Sequence, residues 1–329
     1  MDTDPERSTR LADVGEDALL ARILPLLNRG TVPDVLIGPG DDTALLQLRE
    51  GAVLVTTDAL VRGSDWRDEW STGADVGAKA VAQNVADIAA MGGTATALLV
   101  TLVADPHTRV AWVLELTTGL AEAALDAGVP VVGGDLSSAP TGVVVLSLTA
   151  LGTMHGRTPV RRSGACAGDV VAVAGGLGRS GAGLLLLEEG RAAERADLVG
   201  YHRRPRPPYE QGPRAALAGA TAMIDISDGL VRDGGRVARA SGVTLALDWA
   251  TLEHFAEALV PALTAEQARS CVLGGGEEHA LLACFPADAS LPSGWEVIGA
   301  VAGSGDAPIA PVTLDGRVAE VGGWDHFGG

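Results

Sequence analysis

Short apolar runs recur through the first half of the chain, separated by stretches of helical periodicity: "AVLVTTD" at 52–58, "ATALLVTLV" at 95–103, "VPVVGGD" at 129–135 and "VVVLSLTALG" at 143–152. Runs of this length, broken by glycine and aspartate, read as strands. Between them, 75–91 places Val81, Val85 and Ile88 on one stripe and stops at Gly92-Gly93, which predicts a helix with a glycine C-terminus. Its other face carries Lys79, Gln83 and Asp87. A second helix, over 109–127, ends at Gly128 and feeds the third run. The order β-β-α-β-α-β-β predicts a mixed α/β (α+β) domain of two layers.

From "RRSGACAGD" onward a second α/β series begins. It comprises strand "DVVAVAGG", helix "GAGLLLLEE", a helix near 210–219, strand "AMIDIS", a helix over 229–240, and strands "VTLALD", "HALLACF" and "WEVIGAV". The Pro/Arg-rich segment 191–209 reads as a surface connection. A chain of 329 residues exceeds what one core organises, so two domains are expected, 1–152 and 153–329.

Charge narrows the partners. At a net −18 the chain would repel nucleic acid and anionic membranes, so handling phosphates would require cations as intermediaries. No apolar run reaches membrane-spanning length, and the polar start "MDTDPERSTR" resembles neither a signal nor a transit peptide, so a cytoplasmic location is expected. Cys166, Cys271 and Cys284 are scattered and lack C-x-x-C spacing, which argues against disulfides and a zinc site.

No G-K-[ST] exists, and the single lysine, Lys79, falls inside a helical stretch, so this is not a P-loop protein. "GGLGRSG" fits G-x-G-x-x-G at Gly176, Gly178 and Gly181, but no second strand ending in an acidic residue follows about 20 positions on. What remains is a turn that either packs tightly or offers backbone N–H groups to an anion. "LGGGEEHALL" similarly reads as a close backbone approach to a ligand or as a simple hairpin entry. The remaining histidines show no H-x-x-x-H or Ser/His/Asp pattern.

Aspartates carry more. Asp41-Asp42 follow "IGPG", Asp58 closes "TTD", Asp135 closes "GGD", and Asp225 and Asp228 stand in "IDISD". Each alone is an ordinary turn former or N-cap. Together, at the ends of apolar runs, they favour a cluster of hard oxygen ligands for a divalent cation, with Asp87 joining from its helix.

Taken in order, "GPGDDTALL", "TTDALVRG", "AKAVAQNVADIAAMGG", "VVGGDLSS", "RRSGACAGD", "IDISDGLVRD", "LGGGEEHALL" and "GGWDHF" resemble thiamine-monophosphate kinase, within the superfamily of aminoimidazole ribonucleotide synthetase. The resemblance spans the chain from about residue 15 to its end. It implies a homodimer that pairs its N-terminal sheets, a C-terminal α/β sandwich, and Mg2+-dependent transfer of the ATP γ-phosphoryl group to thiamine monophosphate. It also implies metal ligands at Asp41, Asp42, Thr56, Thr57, Asp58, Asp87, Asp135, Asp225 and Asp228, with Asp58 and Asp228 catalytic. Gly134, Asp135, Arg162 and Ser227 would meet the nucleotide, and Asp65, Glu277 and Trp324 the acceptor.

Two stretches depart from the family pattern. Asp65 stands where a histidine is common, and "GGEDYEL" becomes "GGEEHAL", bringing in His279 and Ala280. The alternatives are a related ATP-using enzyme with another acceptor, or a nucleotide-binding regulator.

Overall fold

In the computed structural model the described residues are 9–10, 13, 16–27, 35–37, 45–47, 51–303 and 311–319. The chain divides into two compact units, Met1–Val85 with Ala95–Thr153, and Ala86–Thr94 with Met154–Gly329. Residues 86–94, expected in the first domain, are thus counted with the second unit.

The first unit is built on α1 (Glu16–Leu27), β1 (Val35–Ile37), β2 (Leu45–Leu46), β3 (Leu54–Val61), α2 (Gly73–Ala90), β4 (Thr94–Ala104), α3 (Val110–Asp126), β5 (Val131–Ser138) and β6 (Val144–Thr153). Strands β1 and β2 pair by themselves, and the other four form a sheet in the order β3-β6-β4-β5. β3 and β6 are antiparallel, whereas β4 and β5 are parallel, with α3 as the crossover that a parallel pair requires.

Strand β6 alternates strictly, burying Val144, Leu146, Leu148 and Ala150. Register sets Leu60, Asp58 and Thr56 of β3 opposite Leu146, Leu148 and Ala150, so these share the buried side. The other side of β3 stays open, with Val55 60% and Val61 38% exposed.

Helices α2 and α3 cross almost backbone to backbone. A Cβ added to Gly73, Gly77 or Gly119 would lie 2.4, 2.2 or 2.1 Å from the carbonyl oxygen of Trp112, Leu116 or Ala74. Helix α2 is buried nearly all round, including Lys79 and Asn84, so the polar face anticipated from its periodicity is an interior one.

The second unit adds β7 (Val170–Ala174), α4 (Arg179–Glu188), α5 (Ala196–Arg203), α6 (Gln211–Leu217), β8 (Ala222–Ile226), α7 (Leu230–Ser241), β9 (Val243–Leu247), α8 (Trp249–Glu257), α9 (Ala265–Gly274), β10 (Ala280–Phe285), β11 (Trp295–Gly303), β12 (Val312–Leu314) and β13 (Arg317–Val318). Its sheet runs β13-β12-β9-β11-β7-β10-β8, and only the β12–β9 pair is parallel. β8 and β10 are buried at every residue, which is why they read as apolar runs, broken in β8 by Asp225, rather than alternating ones. Ala89 and Ala90 pack with Ala215, Met223 and Phe285, and Phe285 meets Trp295 edge-on at 5.3 Å.

The surface connection expected over 191–209 is corrected: α5 lies there and buries Leu198, Val199, Tyr201 and His202. These four fall on one stripe of a short helix, a signal masked by the surrounding arginines and prolines. Among the described residues no helix is long and apolar enough to cross a membrane.

Candidate functional site

In the second unit the sheet edge supplies the acidic residues. β8 ends at Ile226, and Ser227, Asp228 and Gly229 turn the chain into α7. Gly229 has φ +115, and a Cβ there would lie 2.8 Å from backbone atoms of Gly274, so only glycine fits. The glycine-rich stretch before β10 is not a hairpin entry, since it follows α9 and lays its backbone along the end of β8. Glu277 N–H donates to the Ser227 carbonyl at 2.7 Å and His279 N–H to the Ile226 carbonyl at 2.8 Å. Both residues hold positive φ, +58 and +52, a conformation that costs a non-glycine residue energy and clusters at working sites.

Asp225 is 3% exposed within β8, where a bare carboxylate would be costly. His279 answers it, with Nδ1 3.1 Å from Asp225 Oδ2. Burial pulls His279 toward the neutral form, but the Asp225 hydrogen bond and the charges of Asp225, Glu277 and Asp87 prevail and raise its pKa above the ordinary histidine value.

Asp228 is held twice over. Its backbone N–H donates to Asp233 Oδ2 at 2.8 Å, while Arg236 joins Asp233 Oδ1 to Asp228 Oδ2, each at 2.5 Å. Arg232 Nε lies 3.7 Å from the same Asp228 oxygen. The Asp233 side chain is 0% exposed, and burial pushes its pKa up to about 6 despite these donors.

Glu278, 0% exposed, occupies the turn "GGLGRSG". Its Oε1 accepts the backbone N–H of Ser180 at 2.5 Å in the first turn of α4, and the helix N-cap Gly178 adopts the left-handed conformation. The place that an anion could take at this turn is therefore filled by the chain's own carboxyl group. Burial drives the Glu278 pKa up to about 8, against the stabilising Ser180 N–H and Arg179.

Beside it, Ser180, His202 and Glu277 have the residue types of a hydrolytic triad but not its wiring. Ser180 Oγ and Glu277 Oε2 both approach Nδ1 of His202, at 3.1 and 3.4 Å. A relay needs the acid and the nucleophile on opposite ring nitrogens. His202 thus orients Glu277, a role that the sequence offered no pattern for.

The other expected residues are placed as follows. Arg162 is exposed, and its carbonyl accepts Ser241 Oγ at 2.8 Å, which anchors the "RSG" turn to the end of α7. In the first unit, Thr56 and Asp58 are half-buried, Thr57 Oγ1 donates to the Leu148 carbonyl at 2.8 Å, and exposed Asp135 accepts Ser137 Oγ at 2.9 Å. A Cβ on Gly134 would lie 1.9 Å from the Val100 carbonyl oxygen, so the glycine before Asp135 is required by strand contact. Asp65 accepts the Val61 N–H at 2.7 Å and closes the turn after β3. Asp41, Asp42 and Trp324 lie outside the described residues.

The donors are carboxylate and hydroxyl oxygens throughout, a set chemically suited to Mg2+. Among the described residues, however, no three His, Cys, Asp or Glu side chains gather to hold a metal ion. Asp225 and Asp228 are instead engaged by His279 and Arg236.

The chain matches the AIR synthase related proteins, their N-terminal domain over residues 40–154 and their C-terminal domain over 167–308. The thiamine-monophosphate kinase of Mycobacterium tuberculosis (strain ATCC 25618 / H37Rv) is 46% identical over 324 residues, covering 98% of this chain and 94% of the relative. The crystal structure of thiamine-monophosphate kinase from Stenotrophomonas maltophilia K279a superposes with a TM-score of 0.78 at 30% identity, over 93% of this chain and 98% of that one. AaThiL complexed with AMPPCP and TMP gives 0.73 at 30%, over 97% and 99%. Within the AIR synthase related class, the chain belongs to the thiamine-monophosphate kinase family.

Proposed function

We propose that the protein transfers the γ-phosphoryl group of ATP to the phosphate of thiamine monophosphate, giving thiamine diphosphate and ADP. The observation that carries this reading is the match along nearly the whole chain to thiamine-monophosphate kinases, together with the structural likeness to AaThiL complexed with AMPPCP and TMP. An oxygen of the acceptor phosphate attacks the γ-phosphorus, and the bond to the ADP β-oxygen breaks. The acceptor is already an oxyanion near neutral pH, so positioning and charge neutralisation outweigh general-base catalysis.

Asp41, Asp42, Asp58, Asp87, Asp135, Asp225 and Asp228, with Thr56 and Thr57, are the residues that would hold Mg2+. The ion, when bound, offsets the charge of the phosphates and of the developing transition state. Asp58 and Asp228 are the residues assigned the catalytic part. Gly134, Asp135, Arg162 and Ser227 are the residues assigned to the nucleotide, and Asp65, Glu277 and Trp324 those assigned to the acceptor. The exposed side of β3, with Val55 and Val61, pairs with a second copy to form a homodimer, which accounts for apolar side chains on a strand edge. The reaction takes place in the cytoplasm.

Purified protein given ATP, Mg2+ and thiamine monophosphate should form thiamine diphosphate. Product should vanish with EDTA and should not arise from thiamine. ATP binding without product under these conditions would refute the reading in favour of another acceptor or a regulatory binder.

A further inference from the structure

The geometry points to Arg236 and Asp233 as a positioning pair that presents one chosen oxygen of Asp228 to the metal. Three contacts close a ring: Asp228 N–H to Asp233 Oδ2 at 2.8 Å, Arg236 Nη1 to Asp233 Oδ1 at 2.5 Å, and Arg236 Nη2 to Asp228 Oδ2 at 2.5 Å. Backbone and side chain of Asp228 are thereby fixed by two residues three apart on α7, one turn of helix. Such a ring does more than neutralise charge, because a guanidinium bound at two nitrogens sets direction as well as attraction.

Which oxygen is used is the informative part. Both Arg236 and Arg232 approach Oδ2 of Asp228, and the Asp228 side chain is 16% exposed. The ring thus consumes Oδ2 and leaves Oδ1 as the oxygen to offer a ligand. Asp233 cannot itself serve as a metal ligand, since its side chain is 0% exposed and both its oxygens are taken. It belongs to the motif "IDISDGLVRD" but works from behind it.

This inference rests on the proposed role of Asp228 as a metal ligand, so the experiment separates the two. Mn2+ binding in the presence of AMPPCP is measured by electron paramagnetic resonance, without turnover, for the wild type and for Asp228→Ala, Arg236→Ala, Arg236→Lys and Asp233→Asn. Positioning predicts that Arg236→Ala weakens Mn2+ binding about tenfold and that Arg236→Lys restores only part of it; because Arg236→Ala also leaves the fully buried Asp233 without its ion partner, the thermal midpoint should fall as well, and binding is compared well below it.

Coulomb's law alone predicts the reverse, since removing a cation beside Asp228 should tighten the metal. Tighter or unchanged binding in Arg236→Ala, with Asp228→Ala still weakened, overturns the positioning role and leaves the ligand assignment standing. Unchanged binding in Asp228→Ala overturns the ligand assignment itself. Asp233→Asn keeps an acceptor for the Asp228 N–H but loses charge toward Arg236, so it should fall between wild type and Arg236→Ala; wild-type binding there would remove Asp233 from the pair.

Discussion

Replacing Gly119 by alanine tests the crossing of α2 and α3 by its sign. In an exposed helix this change stabilises by about 0.5–1 kcal/mol, because glycine loses more backbone freedom on folding. Here the new Cβ would lie 2.1 Å from the Ala74 carbonyl oxygen and 2.5 Å from its Cα. Those are backbone atoms of a packed helix, which no rotamer change can move. Reaching an ordinary contact would require the helices to part by about 1 Å or more, which forfeits part of the dispersion along the seam.

Overpacking costs about 1–3 kcal/mol and a backbone contact this short lies at the upper end, so the net effect is a loss of about 1–2 kcal/mol after the helical gain. For a unit of this size the thermal midpoint should fall by about 2–8 °C. Gly200→Ala is the matched control, since Gly200 lies inside α5 and a Cβ there meets nothing within 4 Å. It should raise stability by about 0.5–1 kcal/mol. Calorimetry of both variants decides the matter: a Gly119→Ala protein as stable as Gly200→Ala would mean that the helices do not approach this closely.

Glu278 imposes a pH dependence whose sign follows from burial. The folded state keeps its proton up to about pH 8, whereas the unfolded chain releases it near the ordinary value of 4.5. Between those values the folded state holds the extra proton, so stability declines as pH rises and levels off above 8. Glu278→Gln should flatten that decline in urea melts across pH 5 to 8, and parallel curves for the two proteins would contradict the assignment. Asp58→Asn should lower kcat by about 10²–10³-fold with an unchanged circular dichroism spectrum; full activity would remove Asp58 from the site. Val55→Glu places a charge on the open side of β3, and light scattering should then report a monomer. A mass unchanged from the wild type would show that this side does not pair.

Much of the fold was legible because β6 and β10 are apolar runs of strand length and β8 is apolar but for Asp225, the burial alternating in β6 with one covered face and continuous in β8 and β10. Glycine ends likewise marked α2 and α3. Aspartate positions were legible in chemistry but not always in place. Asp58 and Asp135 lie within β3 and β5, which run on to Val61 and Ser138, rather than past their ends. Polar residues continue a strand where a face is open, so composition alone ended these strands early. Helices α8 and α9 went unread, because neither carries a long apolar stripe. His202 could not be found by motif, and Glu278, though it stands in "LGGGEEHALL", could not be given its role, since both depend on α4, α5 and the stretch before β10 meeting in space. Arg236 gave a weak signal, a basic residue eight positions after Asp228 on a helix.

The carboxyl group of Glu278, seated on the first turn of α4, has a consequence for competition. A phosphate or sulfate free in solution would face a rival tethered to the same chain, present at a high effective concentration that mass action by dissolved anions must overcome. The glycine turn is in that sense a receptor delivered with its ligand already attached. Shortening that ligand, as in Glu278→Ala, would convert a sealed structural contact into a vacancy that dissolved anions could fill.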